Sequence, residues 1–166
     1  MIFEKLCLEA FDERNISKDI HEMNDHIKSL LVNAPPSHEI PFEVLQEIRR
    51  KGGGLLESQP YSEKAENRLI NYDNKKVTIR IFNHDSPNFV YLHIHGGGHC
   101  IGAADMQDQS LEKISNDLNC VVVSVEYRLA PVNPYPAAPD DCEAAAIWLI
   151  ENSKSQFNTE KIVIGG

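Results

Sequence analysis

Apolar residues recur at helical spacing up to about residue 50 and at strand spacing from about residue 67 onward. Ile20, Met23, Ile27, Leu30 and Leu31 fall on one helical face behind Ser17, a residue suited to capping, and the pattern stops before Pro35-Pro36. A shorter helix follows, with Pro41 in its first turn, Phe42, Leu45 and Ile48 on its apolar side, and Gly52 to Gly54 placed to end it. Those glycines are not read as a phosphate loop, because no strand precedes them and no Gly-Lys-Ser/Thr follows. Arg68 to Tyr72 and Lys76 to Phe82 read as strands, and the polar Asp73-Asn74-Lys75 between them predicts an antiparallel hairpin. After a second turn at His84 to Asn88, the apolar run from Phe89 to His95 reads as a buried strand.

Gln107 to Leu118 is predicted helical, with Leu111, Ile114, Ser115 and Leu118 on one stripe. The run from Cys120 to Val125 is what a parallel strand covered on both faces requires, the centre of a sheet. A proline-rich connection ends at Tyr135-Pro136, and Pro139 opens a helix with Asp140, Asp141 and Glu143 in its first turn, where the macrodipole favours carboxylates. Its body, Ala144 to Ile150, is apolar and holds Trp148. Lys161 to Ile164 is a further strand, running into Gly165-Gly166. Helices alternating with strands from residue 89 onward imply repeated βαβ units and a parallel sheet. The expected organisation is a helical segment over residues 1–60 and an α/β part over residues 61–166.

Composition narrows the function. The chain has 166 residues, enough for one domain, and a domain of that size buries about 68–70% of its unfolded surface. Its net charge of −9 is spread along the chain, which argues against nucleic-acid and anionic-membrane partners because phosphate binding needs a cationic face. Cys7, Cys100, Cys120 and Cys142 lie far apart with no CxxC pair, so reduced thiols are expected. The start, Met-Ile-Phe-Glu-Lys-Leu, lacks a signal-peptide apolar region, and no apolar run approaches the ~20 residues of a membrane span. A cytoplasmic protein is expected.

Candidate chemistry centres on His95-Gly96-Gly97-Gly98-His99-Cys100, where the strand stops at consecutive glycines. Glycines kept together there serve positive φ or the close approach of main-chain N–H groups to a ligand, and the carboxyl end of a strand is where α/β sheets bind ligands. A backbone donor loop fits hydrolysis of an ester, whose tetrahedral oxyanion is stabilised by preorganised N–H groups, each worth about 3–4 kcal/mol. A metal site is the rival, because His93, His95 and His99 cluster and alternation places His93 and His95 on one side of a strand. Glycines follow them instead of further ligands, so no metal is expected. Ser124 lies inside a predicted central strand and Ser110 on a helix, so neither has the setting of a nucleophile.

His95-Gly96-Gly97-Gly98, followed about thirty residues later by Val125-Glu126-Tyr127-Arg128-Leu129-Ala130-Pro131 and then by Tyr135-Pro136-Ala137-Ala138 with Asp141, resembles the hormone-sensitive-lipase family of α/β-hydrolases. The resemblance covers residues 60 to 166. It implies an incomplete α/β-hydrolase fold: a helical amino-terminal cap segment, an antiparallel hairpin at the start, then a mostly parallel sheet ending before the nucleophile elbow. It further implies that Gly97 and Gly98 donate to the oxyanion, that His95 and Gly96 support the loop, and that Tyr127, Arg128 and Asp141 brace it and the following helix. Lys161 to Gly166 matches the strand and first glycine of a Gly-Asp-Ser-Ala-Gly elbow, which makes Gly166 the start of that turn. The chain contains no G-x-S-x-G, so no catalytic residue is expected within it.

The implied activity is that of a serine carboxylesterase or lipase acting on short-chain carboxylic esters, with no cofactor. The chain alone is expected to be inactive. Two departures from the family pattern, His99 after the glycines and His93 before them, bear on the acyl pocket. The alternative is a catalytically dead truncated fragment, and an apolar strand left open at Ile164 predicts self-association through the exposed sheet edge.

Overall fold

The computed structural model describes residues 12–32, 34–51 and 60–166, and these divide into two compact units, Met1–Glu39 and Ile40–Gly166. In the first unit, α1 (Lys18–Leu31) carries its apolar residues at the predicted spacing, with Ser17 in extended conformation at its N-cap but making no side-chain cap bond. The second unit opens with α2 (Phe42–Arg50), which follows Pro41 as predicted. Gly52 to Gly54, expected to end it, lie outside the described residues, as does Cys7.

A five-stranded sheet forms the core, in the order β1-β2-β4-β3-β5. β1 (Glu66–Tyr72) and β2 (Lys75–Phe82) form the predicted antiparallel hairpin, with Tyr72 opposite Lys75. Lys75 belongs to the strand, because the turn needs only Asp73 and Asn74, both at positive φ, as a two-residue hairpin turn requires. β4 (Val121–Glu126) sits at the centre, antiparallel to β2 and parallel to β3 (Val90–His93), so it is parallel on one side only. β5 (Ile162–Gly165) pairs in parallel with β3 on its far side.

Alternation along the strands feeds two cores. Val121, Val123 and Val125 join Ile79, Ile81, Leu92 and, from α4 (Ala137–Phe157), Ala144, Ala145 and Leu149 on one face. Val122 joins Phe82, Cys120 and Leu111 of α3 (Asp108–Leu118) on the other. The helices that link the parallel strands therefore cover opposite faces, as right-handed crossovers require when the chain steps one way from β3 to β4 and the other way from β4 to β5. Leu118, predicted on the buried stripe of α3, is exposed, because the helix ends there at Asn119 in the left-handed conformation. α4 (Ala137–Phe157) begins two residues before Pro139 and runs beyond Ile150, where Ser153 and Phe157 continue its buried side. Among the described residues no helix is long and apolar enough to cross a membrane.

Candidate functional site

β3 ends at His93, short of the predicted His95, and the chain leaves the sheet into the glycine loop. One further parallel bond, from Ile94 N–H to the Gly165 carbonyl at 3.0 Å, holds the exit of β3 against β5. The left-handed backbone then runs through Gly97 (φ 128°), Gly98 (φ 60°) and His99 (φ 61°), not through Gly96. Within it the Gly97 carbonyl accepts from both Cys100 and Ile101 N–H at 3.1 Å. A Cβ on Gly97 would lie 1.9 Å from the Ile101 carbonyl oxygen, whereas one on Gly98 would meet nothing within 4 Å. Gly97 is thus demanded by the turn itself, and the space outside Gly98 is open.

His95 is wedged beneath this turn. Its ring stacks on Tyr127 at 4.1 Å between centroids, its Nδ1 lies 2.9 Å from the Gly96 carbonyl, and a Cβ on Gly102 would come within 2.5 Å of that nitrogen. The contact with a carbonyl requires Nδ1 to carry the proton. Burial holds His95 below the ordinary imidazole pKa; the Gly96 carbonyl and the Glu126 and Asp105 carboxylates oppose that shift. The neutral ring therefore acts as a packed spacer.

Residues at the end of β4 and just after it fasten the loop from below. Tyr127 Oη donates to the His95 carbonyl at 2.6 Å, Ala130 N–H donates to the His99 carbonyl at 2.8 Å, and Glu126 Oε2 accepts from Ala104 N–H at 2.6 Å. Burial, reinforced by the neighbouring Cys142 and Glu126, pushes the Tyr127 hydroxyl up to about 12, so it stays a donor across the physiological range. Because α4 starts at Ala137, only Asp140 of the expected carboxylates lies in its first turn; Asp141, one residue further on, is gripped by Arg128 with Nε and Nη2 at 2.9 and 2.8 Å, and the Arg128 N–H meets the same carboxylate. That fork fixes the chain between β4 and α4.

The histidines do not assemble a ligand set. His93 Nδ1 lies 2.9 Å from Ser124 Oγ inside the sheet, His95 is committed to Tyr127 and Gly96, and the His99 side chain is exposed. No group of three or more His, Cys, Asp or Glu among the described residues is placed to hold a metal ion. The Ser124–His93 pair is buried at 0% and 4% exposure, which leaves no route for a substrate to that hydroxyl. Cys100 and Cys142, both half-buried, and Cys120, buried, are free thiols. Burial raises Cys142 to about 11, so it is a thiol and not a nucleophilic thiolate near neutrality.

Sequence reasoning passed over two supports of the loop, Gly102 and Glu126, and, away from it, the buried ion pair of Arg80 with Asp108. Gly102 offered a signal, a fourth glycine close behind the loop; the two others are ordinary polar residues until the fold brings them together. The end of β5 returns to the same place. A Cβ on Gly166 would lie 2.0 Å from the Ile94 carbonyl oxygen, so that residue sits at the root of the glycine loop.

The described sheet is mixed, not mostly parallel as expected, because β2 pairs antiparallel with both β1 and β4 while only β3 makes parallel pairs; such a sheet, with helices on both faces and a glycine loop at the carboxyl end of β3, is that of the α/β-hydrolase fold, and the family model described as alpha/beta hydrolase fold matches residues 91–166. An arylesterase from Saccharolobus solfataricus is 34% identical over 132 residues, covering 73% of this chain and 43% of that enzyme. The carboxylesterase NlhH of Mycobacterium tuberculosis is 36% identical over 96 residues, 54% of this chain and 30% of that one. A solved arylesterase structure superposes with a TM-score of 0.65 at 26% identity, covering 86% of this chain and 47% of its own. The chain belongs to the esterase and lipase family of α/β-hydrolases that is similar to hormone-sensitive lipase. It spans less than half the length of each of these relatives.

Proposed function

We propose that these 166 residues are the oxyanion-binding half of a serine-dependent carboxylic ester hydrolase acting on small acyl esters. In this reading Gly97 and Gly98 present their N–H groups to the oxyanion, while His95 and Gly96, held by Tyr127, keep the turn in place. Gly166 opens the nucleophile elbow, and the serine, acid and histidine lie beyond it. No cofactor enters the reaction. Residues 1–60 serve as the helical cap segment, and the protein works in the cytoplasm. With β5 as the outer strand of the described sheet, and Val163 and Ile164 49% and 60% exposed, the chain alone self-associates through that edge.

The observation that carries this reading is the closeness of Gly166 to the Ile94 carbonyl. A serine two residues past Gly166, on a strand-to-helix turn, would emerge beside the glycine loop, where attack on a carbonyl and capture of its oxygen need to meet. Attack forms the bond from serine Oγ to the acyl carbon, moves the carbonyl electron pair onto the oxygen, and requires a base to take the hydroxyl proton. Of these parts the present residues would supply only the oxygen's donors.

The test is the coding sequence after Gly166. An in-frame Asp-Ser-Ala-Gly continuation is the expected result. A stop codon there, or a continuation with no serine at the elbow position, would replace this reading by that of a catalytically dead fragment.

A further inference from the structure

The glycine turn has one more support, and it comes from α2. Gln46 Nε2 donates to the Cys100 carbonyl at 2.7 Å, joining residues 54 positions apart at a half-buried contact. Burial does not dictate that contact, since no residue of α2 is buried. Arg50, one helical turn on from Gln46 and so on the same face, lines with Asp105 and Glu126 a polar cleft of about 140 Å³. α2 therefore meets the loop with a donor at Cys100 and a cation near the two carboxylates that follow it.

The other ties lie around this point without reaching it. Tyr127 and Ala130 hold the carbonyls of His95 and His99, and Glu126 holds Ala104 N–H. Between His99 and Ala104 the Cys100 carbonyl is anchored by Gln46. A turn with three successive residues at positive φ, two of them glycine, has alternative peptide orientations within easy reach. Donors that stabilise an oxyanion must be aimed before the charge forms. We infer that Gln46 is a positioning residue: by holding the Cys100 carbonyl it selects the orientation in which Gly97 and Gly98 face outward, and it makes their order depend on α2. This inference rests on the oxyanion reading of the two glycines.

Hydrogen exchange measured by mass spectrometry on the 166-residue chain separates this role from simple packing. Gln46→Glu keeps the size of the side chain and removes the donor; Gln46→Lys restores a donor at similar reach. The expected result is exchange in the peptide spanning residues 96–104 that is about fivefold faster in Gln46→Glu, the effect of one lost hydrogen bond. Exchange in β2 and β4 should not change, and Gln46→Lys should stay within about twofold of the native loop. The carbonyl carbon-13 shift of Cys100 should move in Gln46→Glu and return toward native in Gln46→Lys.

The inference is overturned if Gln46→Glu leaves the loop protected, if Gln46→Lys exchanges as fast as Gln46→Glu, or if exchange rises equally in the sheet. The readout needs no activity. If the elbow serine is absent downstream of Gly166, the ester-hydrolase reading fails while the loop result still stands or falls by itself.

Discussion

Replacing Asp108 by alanine should cost about 3–5 kcal/mol of folding stability, because it leaves a buried cation without its counter-charge. Arg80 and Asp108 have side chains 1% and 0% exposed, and all five guanidinium N–H groups are engaged. Nε and Nη2 reach the two carboxylate oxygens at 2.7 and 2.5 Å; Nη2 also donates to the Ser62 carbonyl, and Nη1 to Tyr61 and Asn67. The same carboxylate accepts from Ser62 N–H at 2.8 Å. Alanine removes two of the five acceptors and, among the described residues, the only carboxylate in contact with the guanidinium. A domain of this kind is stable by only about 5–15 kcal/mol, so the loss is a large share of the whole.

The double variant Arg80→Met/Asp108→Leu removes both charges, and the exposed Tyr61 and Asn67 can turn to water; it should recover more than half of the loss. Urea unfolding at fixed protein concentration measures both variants. A loss below about 1 kcal/mol for Asp108→Ala, or a double variant no more stable than the single one, would refute the reasoning.

Two further predictions concern the loop and its histidines. Gly97→Ala should disrupt the turn, because its Cβ would fall 1.9 Å from the Ile101 oxygen, whereas Gly98→Ala meets open space and costs only the left-handed strain of about 1–2 kcal/mol; exchange of the loop amides should be faster in the first than in the second, and the reverse order would sink the account of the turn. His93 and His95 are held below the ordinary value of 6.5, His93 by burial and then by the neighbouring His95, and His95 by burial. The unfolded chain therefore takes up protons first as pH falls below 6.5, and the stability present above that pH is lost on acidification. The urea midpoint should drop between pH 7.5 and 5.5, and drop less in His93→Gln; an equal drop in the variant would contradict the assignment.

The pattern of apolar positions located the elements because each strand buries residues at the period of two that a sheet imposes. β4 was the clearest, since Val121 to Val125 are all fully buried and only a strand covered on both faces needs such a run. Arg80 marks the limit of that reasoning. In an alternating strand an arginine between Ile79 and Ile81 reads as a solvent-facing position, and only the arrival of Asp108, 28 residues away, buries it. The extent of α4 was missed for a similar reason, because the polar stretch from Glu151 to Gln156 hides a buried side of Ser153 and Phe157.

At the site, the glycines were legible because a turn of this tightness excludes side chains, yet the strained stretch is shifted by one residue. Gly96 has ordinary backbone, and His99, which sequence reasoning weighed as a pocket residue or a metal ligand, adopts positive φ. The supports were visible only where they belonged to the segment that carries the family resemblance, as with Tyr127, Arg128 and Asp141. Gln46 carries no such signal, because a lone glutamine on an exposed helix is ordinary until its partner carbonyl is placed.

Hydrolysis of a short-chain acyl ester by the purified 166-residue chain tests the central claim most directly. The account predicts no hydrolysis sensitive to a serine-directed inhibitor from these residues alone, and its appearance when they are expressed together with a downstream segment that supplies the elbow serine. Inhibitor-sensitive turnover by the 166 residues alone would show that a nucleophile lies within them, and would contradict the assignment of Gly97 and Gly98 as donors without one.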